Sequence, residues 1–462
     1  MVIKSDIFDT TLIMREESLY LKFVKNILPS PFSIAVLLTV LTAVLALMFT
    51  SRPENAIYSH PIVILDYWQT GFWELLEFTM QMALILILGH VLALTPLFNK
   101  LINRLTLYCD STAKAAFLVS LVTIFMSFIN WGLCLVFGAI FARKVAENAQ
   151  KNGWNLNYPL IGAAGYAGMM CWHGGFSGSA PLTVSGTDHF LADRIGIIGI
   201  EETILSTMNL TTSALLIIII PIVFYLLGKR TSSTEINLPH YQTDVKTQEK
   251  ATGGERIDHS KIAAVAFGSV ICFLAIRQVY ISPKGAGLSF IGLNYINFFL
   301  FGLGVLLHGS FNNFLSAIQS AIGGAAGIII QFPLYAGIMG IMKYSGLGAL
   351  VSEGFVEISN ATTLPIFTLF SAGLVNVFVP SGGGQWAVQG PIITEAAQTL
   401  GVSVPKAVMA LSYGDQLTNM LQPFWALPLL GITKLKAKDI LPYSMIIMGV
   451  GLVIFLTMLL AF

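Results

Sequence analysis

Long apolar runs dominate the chain, and they come in two kinds. Uninterrupted runs near the ~20 residues that cross a bilayer as a helix occupy 32–50, 79–98, 206–227, 262–281, 289–307, 324–342 and 440–461. Two others, 158–182 and 406–430, are long enough but are interrupted by Gly, Pro, Ser and Asn. Stretches 115–147 and 363–399 read as pairs of short helices around a central break. Arms of about 12–15 residues are too short to cross, so both pairs are expected to be re-entrant hairpins. Segments 62–77 and 309–322 mix apolar, aromatic and polar residues and suit helices lying at the interface. The pattern predicts an all-α polytopic membrane protein with nine crossings.

Composition agrees. The 462 residues are 55% hydrophobic and 11% charged, against roughly 25% charged in soluble domains. A net charge of +1 offers no basic surface to nucleic acid. Cys109, Cys134, Cys171 and Cys272 lack metal-ligand spacing and read as reduced packing residues. Glu16 and Glu17 precede the first apolar run, which has no small-residue cleavage site, so no signal peptide is expected.

Lys and Arg orient the spans. With a cytoplasmic N-terminus and hairpins that return to their own side, the cytoplasmic segments hold most of the 25 basic residues. They include Lys100, Arg104, Arg143, Lys144, Lys229, Arg230, Lys434 and Lys436, while Arg52, Arg194, Arg277, Lys284, Lys343 and Lys406 fall outside. This is the positive-inside bias of a cell membrane protein, with the C-terminus outside. The polar stretch 228–261 becomes a cytoplasmic linker.

That linker divides related halves. Asn130 and Asn376 lie 246 residues apart, as do Pro159 and Pro405; Tyr166 and Tyr413 lie 247 apart, as do Pro181-Leu182 and Pro428-Leu429. The expected organisation is a first repeat over 1–227, the linker, a connecting helix at 262–281 and a second repeat over 282–462. Equivalent elements are five crossings apart, so the repeats are inverted. Each has a re-entrant hairpin and a broken transmembrane helix, as secondary transporters do, with the site at the repeat interface.

The candidate site follows from the breaks. VPSGGGQW (379–386) would form the second hairpin tip: Ser381, Gly382, Gly383 and Gly384 let backbone approach a ligand, and Gln385 begins the next helix. Its counterpart is Asn130-Trp131-Gly132. The first broken span offers His173, Gly174, Gly175, Ser177 and Ser179; the second offers Asp415, Gln416, Thr418 and Asn419, with Asn376 nearby in the hairpin. Asp415 is an acid inside a span, which marks function by default. It aligns with Gly168 in the first half. Asp415, Gln416 and His173 are the cation-coupling candidates, for Na⁺ near Asp415 or for H⁺; no other cofactor is expected. Plainer roles are a helix cap or amide pair for Asp415 and simple packing for His173. Glycines at the tip also suit a tight turn.

No Arg or Lys lies at either tip or break, which favours a monoanion over a dianion. Trp131, Trp172, Trp386 and Trp425 are candidate walls for a short acyl chain. Gly175-Phe176-Ser177-Gly178 also reads as a GxSG string, and an intramembrane serine hydrolase would need His173 or His308 to reach Ser177.

FVPSGGGQWAVQGP (378–391), SYGDQLTNMLQPFWALPLLGI (412–432), NWGLCLVFGAIFARK (130–144) and GYAGMMCWHGGFSGSAPL (165–182) make the chain resemble the bacterial short-chain fatty acid transporter family. The resemblance runs along nearly the whole chain and is weakest in the linker. It implies uptake of small monocarboxylates such as acetoacetate or butyrate across the cytoplasmic membrane. It further implies membership in a larger group of ion transporters built from inverted repeats with hairpins and broken helices, whose members are often homodimers working by an elevator motion. Another small anion such as a dicarboxylate is the alternative substrate.

Overall fold

The computed structural model describes residues 31–54, 56–234, 253–281, 290–378 and 382–462, and the described residues form helices without a strand. The central part of the 228–261 linker, residues 235–252, lies outside them, as does Ser381 of the expected hairpin tip.

The first half contains α1 (Pro31–Phe49), α2 (His60–Phe72), α3 (Leu76–Ala93), α4 (Pro96–Leu105), α5 (Thr112–Ile129), α6 (Trp131–Asn152), α7 (Tyr158–Tyr166) and α8 (Thr207–Arg230). Then come α9 (Lys261–Ile281), α10 (Leu293–His308), α11 (Phe311–Ala321), α12 (Ala326–Ser345), α13 (Leu347–Ile358), α14 (Leu364–Phe378), α15 (Gly382–Thr399), α16 (Val404–Thr418), α17 (Pro423–Thr433) and α18 (Ala437–Ala461). Local chemistry sets the boundaries. Proline opens α4 and α17, where its missing N–H is no loss. Side chains of Asn130, Asn157, Ser206 and Ser310 cap α6, α7, α8 and α11 by accepting a first-turn N–H. Gly153, Gly309 and Gly346 end α6, α10 and α12 in the left-handed region.

Six helices or helix pairs among the described residues are long and apolar enough to cross a membrane, including α3, α5, α8, α9 and α18. Stretches 115–147 and 363–399 are the helix pairs α5–α6 and α14–α15, but their arms are longer than the pattern predicted, and α5 is itself long and apolar enough to cross. The arms have 18 and 22 residues in the first and 15 and 18 in the second. Hydropathy marks only the apolar centre of an arm. The helix itself runs on through polar flanks such as Arg143–Asn152 until Gly153 stops it.

The feet of the two hairpins lie at opposite ends of the molecule. At one end the N–H of Asn157, just past α6, donates to Thr112 Oγ1 at the start of α5 (2.9 Å). Here also Lys144 donates to Asn103 (2.9 Å), Arg143 to the Ile432 carbonyl (2.6 Å), Tyr158 to the Thr433 carbonyl (2.8 Å) and Asn157 Nδ2 to the Ser232 carbonyl (2.9 Å). At the other end Leu364 of α14 and Ala397 of α15 share an apolar cluster with Leu191 and Ile198. There Arg194 pairs with Glu395 (2.8 Å), Lys343 with Glu74 (3.3 Å), and Ser185 donates to the Ile291 carbonyl (3.0 Å).

Both broken spans are broken, though not in the same way. After α7 the chain passes through 3₁₀ turns at Ala167–Met170 and Trp172–Gly174 before one helical turn, Ser179–Thr183. The second break is shorter. α16 continues to Thr418, a 3₁₀ turn covers Asn419–Leu421, and α17 starts at Pro423. Asp415 and Gln416 therefore sit in the last turn of a continuous helix, not in unwound chain. A Cβ on Gly168 would meet the Thr123 carbonyl, and one on Gly414 would meet the Leu369 carbonyl. Both partners are 246 residues apart, the offset of Asn130 and Asn376, and in that register Gly168 would stand against Gly414 and Asp415 against Met169.

Candidate functional site

Three elements bring polar groups together in the buried centre. The turn Trp172–Gly174 carries His173, the last turn of α16 carries Asp415 and Gln416, and the first residue of α15 is Gly382. His173 is fully buried and Asp415 is 1% exposed. Nε2 of His173 lies 3.1 Å from Asp415 Oδ1, at an angle poor for a hydrogen bond. The Ser179 N–H donates to His173 Nδ1 (3.3 Å), and the His173 N–H donates to Gln416 Oε1 (3.0 Å). A ring nitrogen that accepts carries no proton, so the bond from Ser179 assigns the imidazole proton to Nε2, the nitrogen beside Asp415.

Gly382 is what allows this approach. A Cβ there would lie 2.7 Å from His173 Cε1 and 3.0 Å from Ser179 Oγ. The second hairpin thus touches the first broken span through a residue without a side chain. Gly383 and Gly384 face elsewhere: their Cβ positions fall 2.8 Å from the Phe78 ring and 2.5 Å from the Tyr335 ring.

Asn376 ties the second hairpin to the second break. Its amide donates to the Asp415 carbonyl (2.7 Å), Thr418 Oγ1 (3.0 Å) and Asn419 Oδ1 (2.8 Å). Gln422 in turn donates to the Asn376 carbonyl. Gln385 donates to the Ala372 carbonyl (2.8 Å) and to Gln389 (2.7 Å). Around these bonds several buried acceptors have no hydrogen-bond partner: both carboxylate oxygens of Asp415 and the amide oxygens of Asn376, Gln385 and Gln422. Buried polar groups are rarely left so. An acceptor-rich set around one carboxylate matches the chemistry of a monovalent cation or a proton. No group of three His, Cys, Asp or Glu among the described residues could hold a metal ion, so Na⁺ would depend on neutral oxygens.

The first hairpin's residues form a second group. Asn130 donates to the Ile85 carbonyl (3.0 Å) and caps α6 by accepting from the Leu133 N–H (2.9 Å). The Trp131 N–H donates to Ser177 Oγ (2.9 Å). Gly174 gives its carbonyl to Asn209 (3.0 Å), while Gly132 backs onto the Leu86 carbonyl and Gly175 onto the backbone of Phe128. The rings of Trp131, Trp172 and Trp425 pack together, with Trp131 5.9 Å from Trp172 and 5.1 Å from Trp425. The serine-hydrolase reading fails on these bonds. Ser177 is held by Trp131, the two ring nitrogens of His173 face Ser179 and Asp415, and His308 bonds the Val91 carbonyl (2.9 Å). Neither histidine is placed as the base for Ser177.

The sequence pattern marked Tyr166 and Tyr413 only as repeat landmarks, with no role at the site, and did not single out Asn209. Tyr413 donates to Asn209 Oδ1 (3.1 Å), and Tyr166 donates to the Asn419 carbonyl (2.8 Å), so these side chains brace the two breaks. Asn209 and Thr212, one turn apart in the apolar α8, were the available signal. A cavity of about 390 Å³ near the Glu74 end is lined by Glu77, Gln81, Asp188, His189 and Asn294. Burial pushes the His189 imidazole below its usual range.

Two solved transporters share the fold across almost their whole length at 15% identity. YdaH of Alcanivorax borkumensis has a TM-score of 0.58, covering 94% of this chain and 98% of that one. MtrF of Neisseria gonorrhoeae, described with a class of antimetabolite efflux pumps, has a TM-score of 0.56, covering 96% and 97%. Closer relatives are two proteins named "Putative short-chain fatty acid transporter". That of Escherichia coli (strain K12) is 38% identical over 446 residues, 95% of this chain and 98% of the relative. That of Haemophilus influenzae is 36% identical over 435 residues, 92% and 94%. The family model for short chain fatty acid transporters matches residues 12–462, and the chain belongs to that family.

Proposed function

We propose that the protein is a secondary carrier that moves small monocarboxylates, such as acetoacetate or butyrate, across the cytoplasmic membrane, coupled to a cation at Asp415. The observation that carries this reading is the meeting of His173, Asp415 and Gly382 from three separately broken elements. A buried carboxylate with no Lys or Arg beside it is costly to keep charged. A proton or Na⁺ removes that cost. The cation then offsets the cost of admitting an anionic substrate, so each ligand strengthens the other's binding. His173 is read as a group that places its Nε2 beside Asp415 without carrying the coupled proton, because a second proton on its ring would break the Ser179 bond. The opposed feet of the two hairpins and the 246-residue recurrence of the Gly168 and Gly414 contacts favour inverted repeats. They fit an alternating-access or elevator motion in a homodimer.

The test is uptake by purified protein in proteoliposomes with Na⁺ and pH gradients imposed separately. Uphill accumulation of butyrate driven by one of the gradients is expected. Flux that only runs downhill, whichever gradient is imposed, would sink the coupled-carrier reading.

A further inference from the structure

A cavity of about 410 Å³ lies away from the His173–Asp415 pair, against the first turn of α6. Small-molecule sites commonly measure roughly 300–1,000 Å³. Trp131 and Gly132 of α6, Trp425 of α17, Phe332 and Gln331 of α12 and His90 of α3 all line it. The aromatic side is built from packed rings: Trp131 and Trp425 meet edge to face, and Phe332 is 2% exposed. No Asp, Glu, Lys or Arg is part of the lining.

The polar side is made of donors. Trp131 is 2% exposed, and its indole N–H has no hydrogen-bond partner. Gln331 accepts the Tyr335 hydroxyl on Oε1 (3.3 Å), which leaves its NH₂ as the open end of the amide. In the first turn of α6, Ser177 takes the Trp131 N–H and Asn130 takes that of Leu133. The Gly132 N–H between them, in the first turn, has no acceptor within its own helix. Its position at a helix N-terminus favours negative charge. The Asp415 cluster has the opposite character, with one carboxylate and mostly unpaired acceptors. Phe332 joins the two regions, since a Cβ on Gly383 would meet its ring at 3.1 Å.

We infer that this cavity binds the monocarboxylate, with the carboxylate at the α6 N-terminus and Gln331 and the acyl chain against Trp131, Trp425 and Phe332, so that the cavity sets chain length. The inference rests on the transporter reading but separates two tasks within it. The cation belongs to the acceptor-rich cluster and the anion to the donor-rich cavity.

Gly324 provides the test. It lines the cavity, and a Cβ there would meet only Leu86 Cδ2, at 3.7 Å. Gly324→Phe therefore fills the space without a clash at the backbone. Two readouts are used on purified protein: uptake of acetate, butyrate and hexanoate into proteoliposomes, and the rise in Tm that each acid produces. In Gly324→Phe the KM for butyrate should rise at least about tenfold, and that for acetate by under about threefold, as pocket contacts of one or two methylenes imply. Butyrate should stabilise wild type and no longer stabilise Gly324→Phe. Gln331→Leu should weaken all three acids by a similar factor. If Gly324→Phe does not insert, Gly323→Phe replaces it, because a Cβ at Gly323 meets nothing within 4 Å. An unchanged chain-length profile and an unchanged butyrate-induced Tm rise in the filled variant would overturn the cavity assignment. Wild-type protein that butyrate stabilises but that moves no acid would overturn the transporter reading and leave the cavity standing.

Discussion

Asn130 and Asn376 occupy the breaks of the two hairpins, 246 residues apart, and they make different bonds. Asn130 holds structure: it caps α6 and pins that helix to the Ile85 carbonyl of α3. Asn376 reaches the carbonyl of Asp415 and the side chains of Thr418 and Asn419, so its bonds feed into the one buried acid among the described residues. The broken spans differ likewise. The first is unwound over 167–178 and gives up His173 and Ser177 to other elements; the second stays helical through Asp415 and breaks only after Thr418. A shared chain path therefore carries an unequal distribution of chemistry. The first half supplies a helix N-terminus with free donors, and the second supplies a carboxylate with free acceptors. Such a division fits the proposed carrier, in which an anion and a cation would be held at once without fusing into one pair.

The largest effect should come from removing the acidic half of this contrast. Asp415→Asn keeps size and shape but has no charge to be neutralised on cation binding. Gradient-driven accumulation of butyrate should fall at least about tenfold, while equilibrium exchange stays within about threefold, because reciprocal coupling is lost without loss of the anion site. Equal accumulation by wild type and Asp415→Asn under every imposed gradient would make Asp415 structural and leave the two halves equivalent in role.

The two asparagines give the next test. Asn130→Ala removes a cap and the bond that pins α6 to the Ile85 carbonyl, a loss of about 2 kcal/mol from the usual worth of each. Its signature should be a lower Tm with a near-normal KM in the protein that inserts. Asn376→Ala should show the reverse balance, with a smaller fall in Tm per unit of lost uptake and a shifted cation dependence. Matching signatures in Tm, KM and cation response would erase the distinction.

Much of this layout was legible in the chain. Apolar length located the long apolar helices, six of which among the described residues are long enough to cross. The punctuation of Gly, Pro, Ser and Asn located the breaks between α5 and α6 and between α14 and α15 and the interruptions after α7 and α16, because those residues interrupt helices through backbone effects that need no tertiary context. His173, Asp415 and Gly382 could be named for the same local reasons. What could not be read was how far the arms continue, since helices run through polar flanks that hydropathy discounts. The tautomer of His173 was also hidden, because it depends on the Ser179 N–H. Nor could pattern reveal that Gly383 and Gly384 serve ring packing against Phe78 and Tyr335, while Gly382 alone meets the histidine. Such partners come from other elements, and a periodicity carries no record of them.

The smallest predicted effect concerns the hairpin feet. The first is fastened by Arg143, 3% exposed, which bonds Glu147 (2.8 Å) and the Ile432 carbonyl (2.6 Å) and so ties α6 to the end of α17. The second is fastened by Arg194 to Glu395 (2.8 Å), with the arginine side chain 46% exposed. Water competes for the second pair and salt screens it, so such contacts are typically worth ~0.2–1 kcal/mol. A buried guanidinium bonded to a carbonyl is worth more, about 1.5–3 kcal/mol, because its loss leaves the carbonyl without a donor. Arg143→Ala should therefore lower Tm clearly at any ionic strength. Arg194→Ala should lower it slightly, and raising salt to ~1 M should erase most of that difference as the screening length shrinks to about 3 Å. Uptake by Arg194→Ala should stay within about twofold of wild type, because the pair lies at the rim and touches neither the acceptor cluster nor the donor-rich cavity. A salt-independent loss of stability at Arg194 equal to that at Arg143 would show that both feet are locked alike, and the asymmetry would then be confined to the two sites themselves.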